Sequence, residues 1–170
     1  MADLSISFAA LSTPSMVDWS CTLIESFRRV TGRTLAAVFS DVNGHPLAEH
    51  RRSTLALELF ELPFIVVSHQ LELEPILNYG NRAALRRWNS SWSDFVRMPS
   101  SQTAEAAHRE ERLAAFAKVR EYGFVDDYRG VRITADGRRF MIERGTIWEV
   151  VDAHGVRHGD AATFSSWTDL

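Results

Sequence analysis

The chain has 170 residues, 45% of them hydrophobic, and its 19 basic and 22 acidic residues leave a net charge of −3. That length and composition fit one globular domain with a real core, while the mixed, mildly acidic charge gives no footprint for nucleic acid. No run of apolar residues approaches the roughly 18 of a membrane span, and Cys21, the only cysteine, excludes an internal disulfide or a cysteine zinc cluster, which favours the cytoplasm.

From the N-terminus, Met1–Leu11 carries Asp3 instead of a basic segment and is not read as a signal peptide. A first helix is predicted from Pro14, with Thr13 before it as cap. Met16, Trp19, Leu23, Phe27 and Val30 form its apolar stripe, and Gly32 ends it. Residues 33–50 are ambiguous apart from a turn at Asn43-Gly44. A second helix is expected over Ser53–Leu62, closed by Pro63. Two short apolar strands follow, Phe64–Ser68 and Ile76–Tyr79. Pro75 has no N–H to give a ladder, which places the second strand at a sheet edge.

Asn81 then caps a helix over Arg82–Trp88, and Ser91 with Asp94 three residues on starts another. The longest helix is expected over Ala104–Tyr122, capped by Thr103 and ended by Gly123. Leu113, Phe116 and Ala117 should face the core, and Glu105 and Arg109 should pair outside. The last third reads as strands: Tyr128–Thr134 and Arg138–Val151 flank the hairpin signal Asp136-Gly137, and a turn at Asp152–Gly155 leads to a final strand ending near Trp167.

This order and its motifs resemble the PAS fold and, more closely, the MEKHLA domain family. The resemblance is carried by Val67-Ser-His69, Pro75–Leu85, Trp92, Pro99, Arg109-Glu-Glu-Arg112, Tyr128-Arg-Gly-Val-Arg132, Gly137-Arg-Arg-Phe140 and Gly159–Phe164. It implies an α+β, PAS-like five-stranded antiparallel sheet with helices over one face and an N-terminal helical extension, in a stand-alone, bacterial-type version. Residues 1–62 would be the extension and 63–168 the PAS-like core. It further implies a sensory module that binds a ligand or dimerises, and that signals through a partner protein. The cofactor, if any, is unknown.

Candidate binding residues follow from that arrangement. Tyr79, Trp88, Trp92, Phe95, Phe140, Trp148 and Phe164 would surround a cleft between sheet and helices, the apolar wall that small-molecule pockets use; core packing alone also accounts for most of them. His69, at the end of the first strand, could enter the cleft or bond nearby backbone. Arg132, Arg144 and Glu143 alternate along strands, and an inward arginine could meet a carboxylate ligand. His154 and His158 lie across a turn, a poor arrangement for metal. His108 occupies the place of a haem ligand but stands among charged neighbours. The helix after the second strand lacks the cysteine that cysteinyl-flavin photochemistry needs. No Gly-x-Ser-x-Gly, Walker or HExxH motif occurs. Two other readings use the same fold: an enzyme in which His69 or Arg132 polarises a small substrate, and a ligand-free adaptor that binds proteins through the outer face of the sheet.

Overall fold

Along Ile65–Gln70 both faces of one strand are buried, which requires packed layers on either side of the sheet. In the structure, a computed structural model that describes residues 8–104 and 109–170, helices supply both layers. A one-turn helix α1 (Phe8–Leu11) precedes α2 (Pro14–Thr31) and α3 (Glu49–Glu61). Strands β1 (Ile65–Gln70) and β2 (Leu77–Gly80) lead to α4 (Arg82–Trp88), α5 (Trp92–Phe95) and α6 (Arg109–Tyr122). Strands β3 (Phe124–Ile133), β4 (Arg139–Val151) and β5 (Arg157–Asp169) finish the chain. The five strands form one antiparallel sheet in the order β2-β1-β5-β4-β3.

Alternation divides the sheet between two cores. Val66, Trp148, Val150 and Ala161 pack with Val17, Cys21, Ile24, Phe27, Leu55 and Leu59 of α2 and α3. Ile65, Ile142, Ile147 and Phe164 pack with Leu85 and Trp88 of α4, Phe95 of α5 and Val119 of α6. The N-terminal extension therefore covers the outer face of the sheet. Burial pushes the Cys21 thiol up to about 11, which leaves it a packing group.

β2 is at the sheet edge, as the position of Pro75 predicts. Ser68 pairs with Tyr79 but His69 pairs with Leu77, so Asn78 is an extra residue, a bulge that turns Tyr79 toward the α2–α3 core while Leu77 stays with the other. Gly159 faces Gln70 in the β1–β5 ladder, where a Cβ would stand 1.9 Å from the His69 carbonyl. Only glycine fits there.

Some predicted caps form: Gly32 takes a left-handed conformation after α2, and Ser91 Oγ accepts from the Asp94 N–H. Thr13 precedes α2 but makes no side-chain cap bond, its Oγ1 donating instead to the Ala10 carbonyl at 3.3 Å, and Thr103 lies in a 3₁₀ turn. Three boundaries differ by four residues or more; β3 begins at Phe124, before the expected Tyr128. α3 begins at Glu49, before the expected Ser53, because Arg51 lies in its first turns between Asp41 (2.6 Å) and Glu58 (2.7 Å); charged pairs leave no mark on hydrophobic periodicity. Ala104 is extended and follows a 3₁₀ turn, so the long helix does not start there. The expected Glu105–Arg109 pair and His108 lie outside the described residues. On α6, Leu113 and Ala117 are exposed and Phe116 is half-buried; Val119 is the fully buried residue. The inward stripe is Arg112, Ala115, Phe116 and Val119, and an arginine at its head hides the period.

Asn81 ties these parts together from a fully buried position. Its Oδ1 accepts from the Ala84 N–H at 3.1 Å, capping α4, and from the Val66 N–H at 3.0 Å. Its Nδ2 donates to the Phe64 carbonyl at 2.7 Å. Asn81→Ala removes a cap and strands a buried amide, and should cost roughly 3 kcal/mol. Urea denaturation checks this: the midpoint should fall with an unchanged slope.

Candidate functional site

Between the sheet and α4–α6 lies a cavity of about 60 Å³, room for a few water molecules. Its floor comes from the side chains that alternation turns away from α2: Val67 and His69 of β1, Ala162 and Phe164 of β5, Ile147 of β4. Leu77, Trp88 and Phe95 form one wall, and Arg112 and Phe116 of α6 the roof. Tyr128 and Arg132 enter from β3, and Ser100 and Thr103 from the 3₁₀ turn.

Of the residues predicted to surround a ligand, the structure brings His69, Trp88, Phe95, Arg132 and Phe164 to this cavity. Trp148, Tyr79, Trp92, Phe140 and Arg144 lie elsewhere. Trp148 projects from the opposite face, where its Nε1 donates to Ser26 Oγ of α2 at 3.0 Å and its ring meets Phe27 edge-on at 5.0 Å. Its neighbour Ile147 takes the cavity side, and alternation allows only one of the two to do so. Tyr79 follows the bulge into the α2–α3 core, and Trp92 packs between Tyr79 and Phe60. Phe140 sits behind the wall, edge-on to Trp88 at 5.3 Å. Arg144 lies outside, its Nε donating to the Asp126 carbonyl at 3.2 Å.

The polar groups of the cavity are sparse and specific. His69 is 7% exposed; its Nδ1 lies 3.1 Å from the Gln70 carbonyl, which can only accept, so Nδ1 carries the proton. Among the described residues its Nε2 has no hydrogen-bond partner, and it lies 3.8 Å from Asp160 Oδ2. Asp160 is itself held, both oxygens 2.7 Å from Arg157 Nη2. Trp88 is 3% exposed and its Nε1 also has no partner among the described residues. Buried donors and acceptors are nearly always paired, so two such atoms on residues that line one small cavity are exceptions. Arg112 donates from Nη2 to Ser100 Oγ at 2.8 Å. Arg112, Tyr128 and Asp160 escaped the sequence-based reading as site residues, although all three sit inside strings that carry the family resemblance.

Elsewhere, His158 Nε2 is 2.9 Å from Asp152 Oδ2 across the last turn. Among the described residues no group of three or more histidine, cysteine or acidic side chains could hold a metal, and no helix is long and apolar enough to cross a membrane.

A five-stranded sheet in this order, with short helices enclosing a cavity on one face, is a PAS fold. It is shared with the PAS domain of a protein from Colwellia psychrerythraea, at a TM-score of 0.57 and 12% identity over 69% of this chain and 95% of that one. A PAS domain from a two-component sensor histidine kinase matches at 0.55 and 11% identity, covering 73% of this chain and 100% of that one. A light-oxygen-voltage domain studied with a flavin analogue matches at 0.52 and 14% identity, over 68% and 82%. The MEKHLA domain model matches residues 17–169, and the chain belongs to that family. The homeobox-leucine zipper protein ATHB-9 of Arabidopsis thaliana is 26% identical over 94 residues, which is 55% of this chain and 11% of that protein. The match therefore spans a small part of that curated relative.

Burial, above all, holds His69 below the ordinary imidazole value, with Arg112 and Arg157 acting in the same sense and the Gln70 carbonyl and Asp160 against it. As pH falls below about 6.5 the unfolded chain takes up a proton that the folded protein resists, so folding loses stability in that direction. His69→Gln removes this dependence. Urea unfolding between about pH 7.5 and 5.5 should show a falling stability for the wild type and a flatter one for the variant; parallel curves would refute a neutral, buried His69.

Proposed function

We propose that this protein is a sensory module that binds a small molecule in the cavity between sheet and helices and relays occupancy to a partner protein. The observation that carries the reading is the pair of unpartnered buried atoms, His69 Nε2 and Trp88 Nε1, on the wall of a cavity otherwise lined by apolar side chains. One can accept and the other donate, so a guest with both kinds of group would satisfy both. The PAS neighbours, one of them from a sensor histidine kinase, support the same reading by analogy of fold. The adaptor reading has less support, since α2 and α3 cover the outer face that it would use.

Small-molecule pockets usually enclose several hundred Å³, far more than this cavity of about 60 Å³, so binding requires a wall to give way. α6 is the wall with least to lose: among its described side chains only Val119 is fully buried. Occupancy would shift α6 outward, and the ligand can drive that shift only by its preference for the displaced arrangement. Self-association belongs to the same reading, with the protein acting in the cytoplasm as a homodimer; sedimentation of the full chain and of one lacking residues 1–31 tests whether the N-terminal helix takes part.

Ala162 lies at mid-floor, and Ala162→Phe should fill the cavity. Native mass spectrometry of protein purified from cells should reveal a bound small molecule in the wild type and none in the variant. Hydrogen exchange of α6 should respond to a metabolite extract in the wild type alone. Identical masses together with unresponsive α6 amides would sink the reading.

A further inference from the structure

Two arginines reach the cavity, and among the described residues no carboxylate pairs with either. Arg132 comes from β3 and is 7% exposed; its one hydrogen bond among the described residues runs from Nη1 to the Val131 carbonyl at 2.8 Å. Arg112 comes from α6, half-buried, and gives one bond to Ser100 Oγ. Each guanidinium lies over a ring, Arg132 5.1 Å from the Tyr128 centroid and Arg112 4.7 Å from that of Phe116. Five N–H donors per guanidinium leave most of their capacity unused. Other arginines meet acids: Arg51 has Asp41 and Glu58, Arg82 has Glu61, and Arg157 has Asp160. Among the described residues Asp160 is the one carboxylate lining the cavity, and Arg157 holds both its oxygens.

Two cations sharing one low-dielectric space repel each other and have lost part of their hydration. Burial, and after it the charge of Arg132, lowers Arg112 to about 10, still cationic at neutral pH. The remaining wall, formed by Trp88, Phe95, Ile142, Ile147 and Phe164, is apolar. Resting on the reading of this cavity as a ligand site, we infer that its ligand is a small carboxylate on an apolar or aromatic body, the anionic group held by Arg112 and Arg132 and the body lying among Trp88, Phe95 and Phe164, where a polar substituent on it would meet His69 Nε2 and Trp88 Nε1. Planar guanidinium forks match a carboxylate edge, and such charge-assisted bonds strengthen away from water. The two arginines sit on different elements, one on the sheet and one on the roof helix. An anion between them joins α6 to β3, so the charge of the ligand, and not its bulk alone, sets where α6 rests.

Thermal unfolding and calorimetry with benzoate, hexanoate, benzamide and inorganic phosphate test the inference on the full-length protein. Benzoate or hexanoate should raise the melting temperature with concentration, and benzamide and phosphate should not. Arg132→Met and Arg112→Met should each weaken carboxylate binding at least about tenfold. Without added carboxylate, Arg132→Met should melt no lower than the wild type, because it removes a repulsion; Arg112→Gln, on the more accessible helix, serves if Arg132→Met does not fold. Benzamide acting as strongly as benzoate would overturn the anion assignment and leave the ligand site standing. Phosphate matching benzoate would overturn the apolar body. If none of the four probes acts, the carboxylate assignment is overturned, and it takes the ligand-site reading with it when Ala162→Phe also leaves the native mass unchanged.

Discussion

Everything in this protein hangs on a sheet that is apolar on both faces. A one-sided sheet would tolerate a slip or a flip of a strand at its wet face; here the buried residues of the central strands are divided between two cores, and a register shift of one residue would exchange their faces. The pairing is accordingly pinned at several points. Gly159 lets β5 approach the His69 carbonyl, the Asn78 bulge corrects the phase of the edge strand, and Asn81 binds β1 to the start of α4 with one buried amide. The cavity follows from this pinning. It lies where the sheet has its small side chains, at Ala162 and Gly145, and where α6 rests on few buried atoms.

The chemistry of the cavity is a small polar set embedded in packing residues. His69 is kept neutral by burial, and its tautomer is chosen by the Gln70 carbonyl. Asp160, which could have ionised it, is committed to Arg157. The result is a floor with one bare acceptor, a wall with one bare donor, and two guanidinium groups facing inward. Membership of the MEKHLA family and the PAS fold account for the enclosure. His69, Arg112, Arg132 and Asp160 all lie in the strings that carry the family resemblance.

Local chemistry made much of the architecture legible. Gly32, Ser91 and Asp136-Gly137 act within a few residues of themselves, as does Asn81 in its role as a cap, and each does what its side chain or backbone freedom demands; the bonds of Asn81 to Val66 and Phe64 left no local signal. Side-chain direction was harder to read. With helices on both faces, the strands lose the polar–apolar alternation that would assign Trp148 to one side and Ile147 to the other. The bulge at Asn78 then reverses the expectation for Tyr79. On α6 the head of the inward stripe is Arg112, so hydrophobic spacing selected Leu113, which is exposed. These failures share a cause: partners distant in sequence decide them.

The two tryptophans nearest the sheet's centre have a consequence of another kind. Trp88 borders the cavity with a free indole N–H, while Trp148, on the far side of the same sheet, is locked to Ser26 and fully buried. Their emission should differ in colour and in accessibility to quenchers, because one indole stands beside a polar space and the other has none. With the other three tryptophans, Trp19, Trp92 and Trp167, replaced, the two form a pair of intrinsic optical labels, one on each side of the sheet, that distinguish a change in the cavity from a loosening of the N-terminal helix without any added dye.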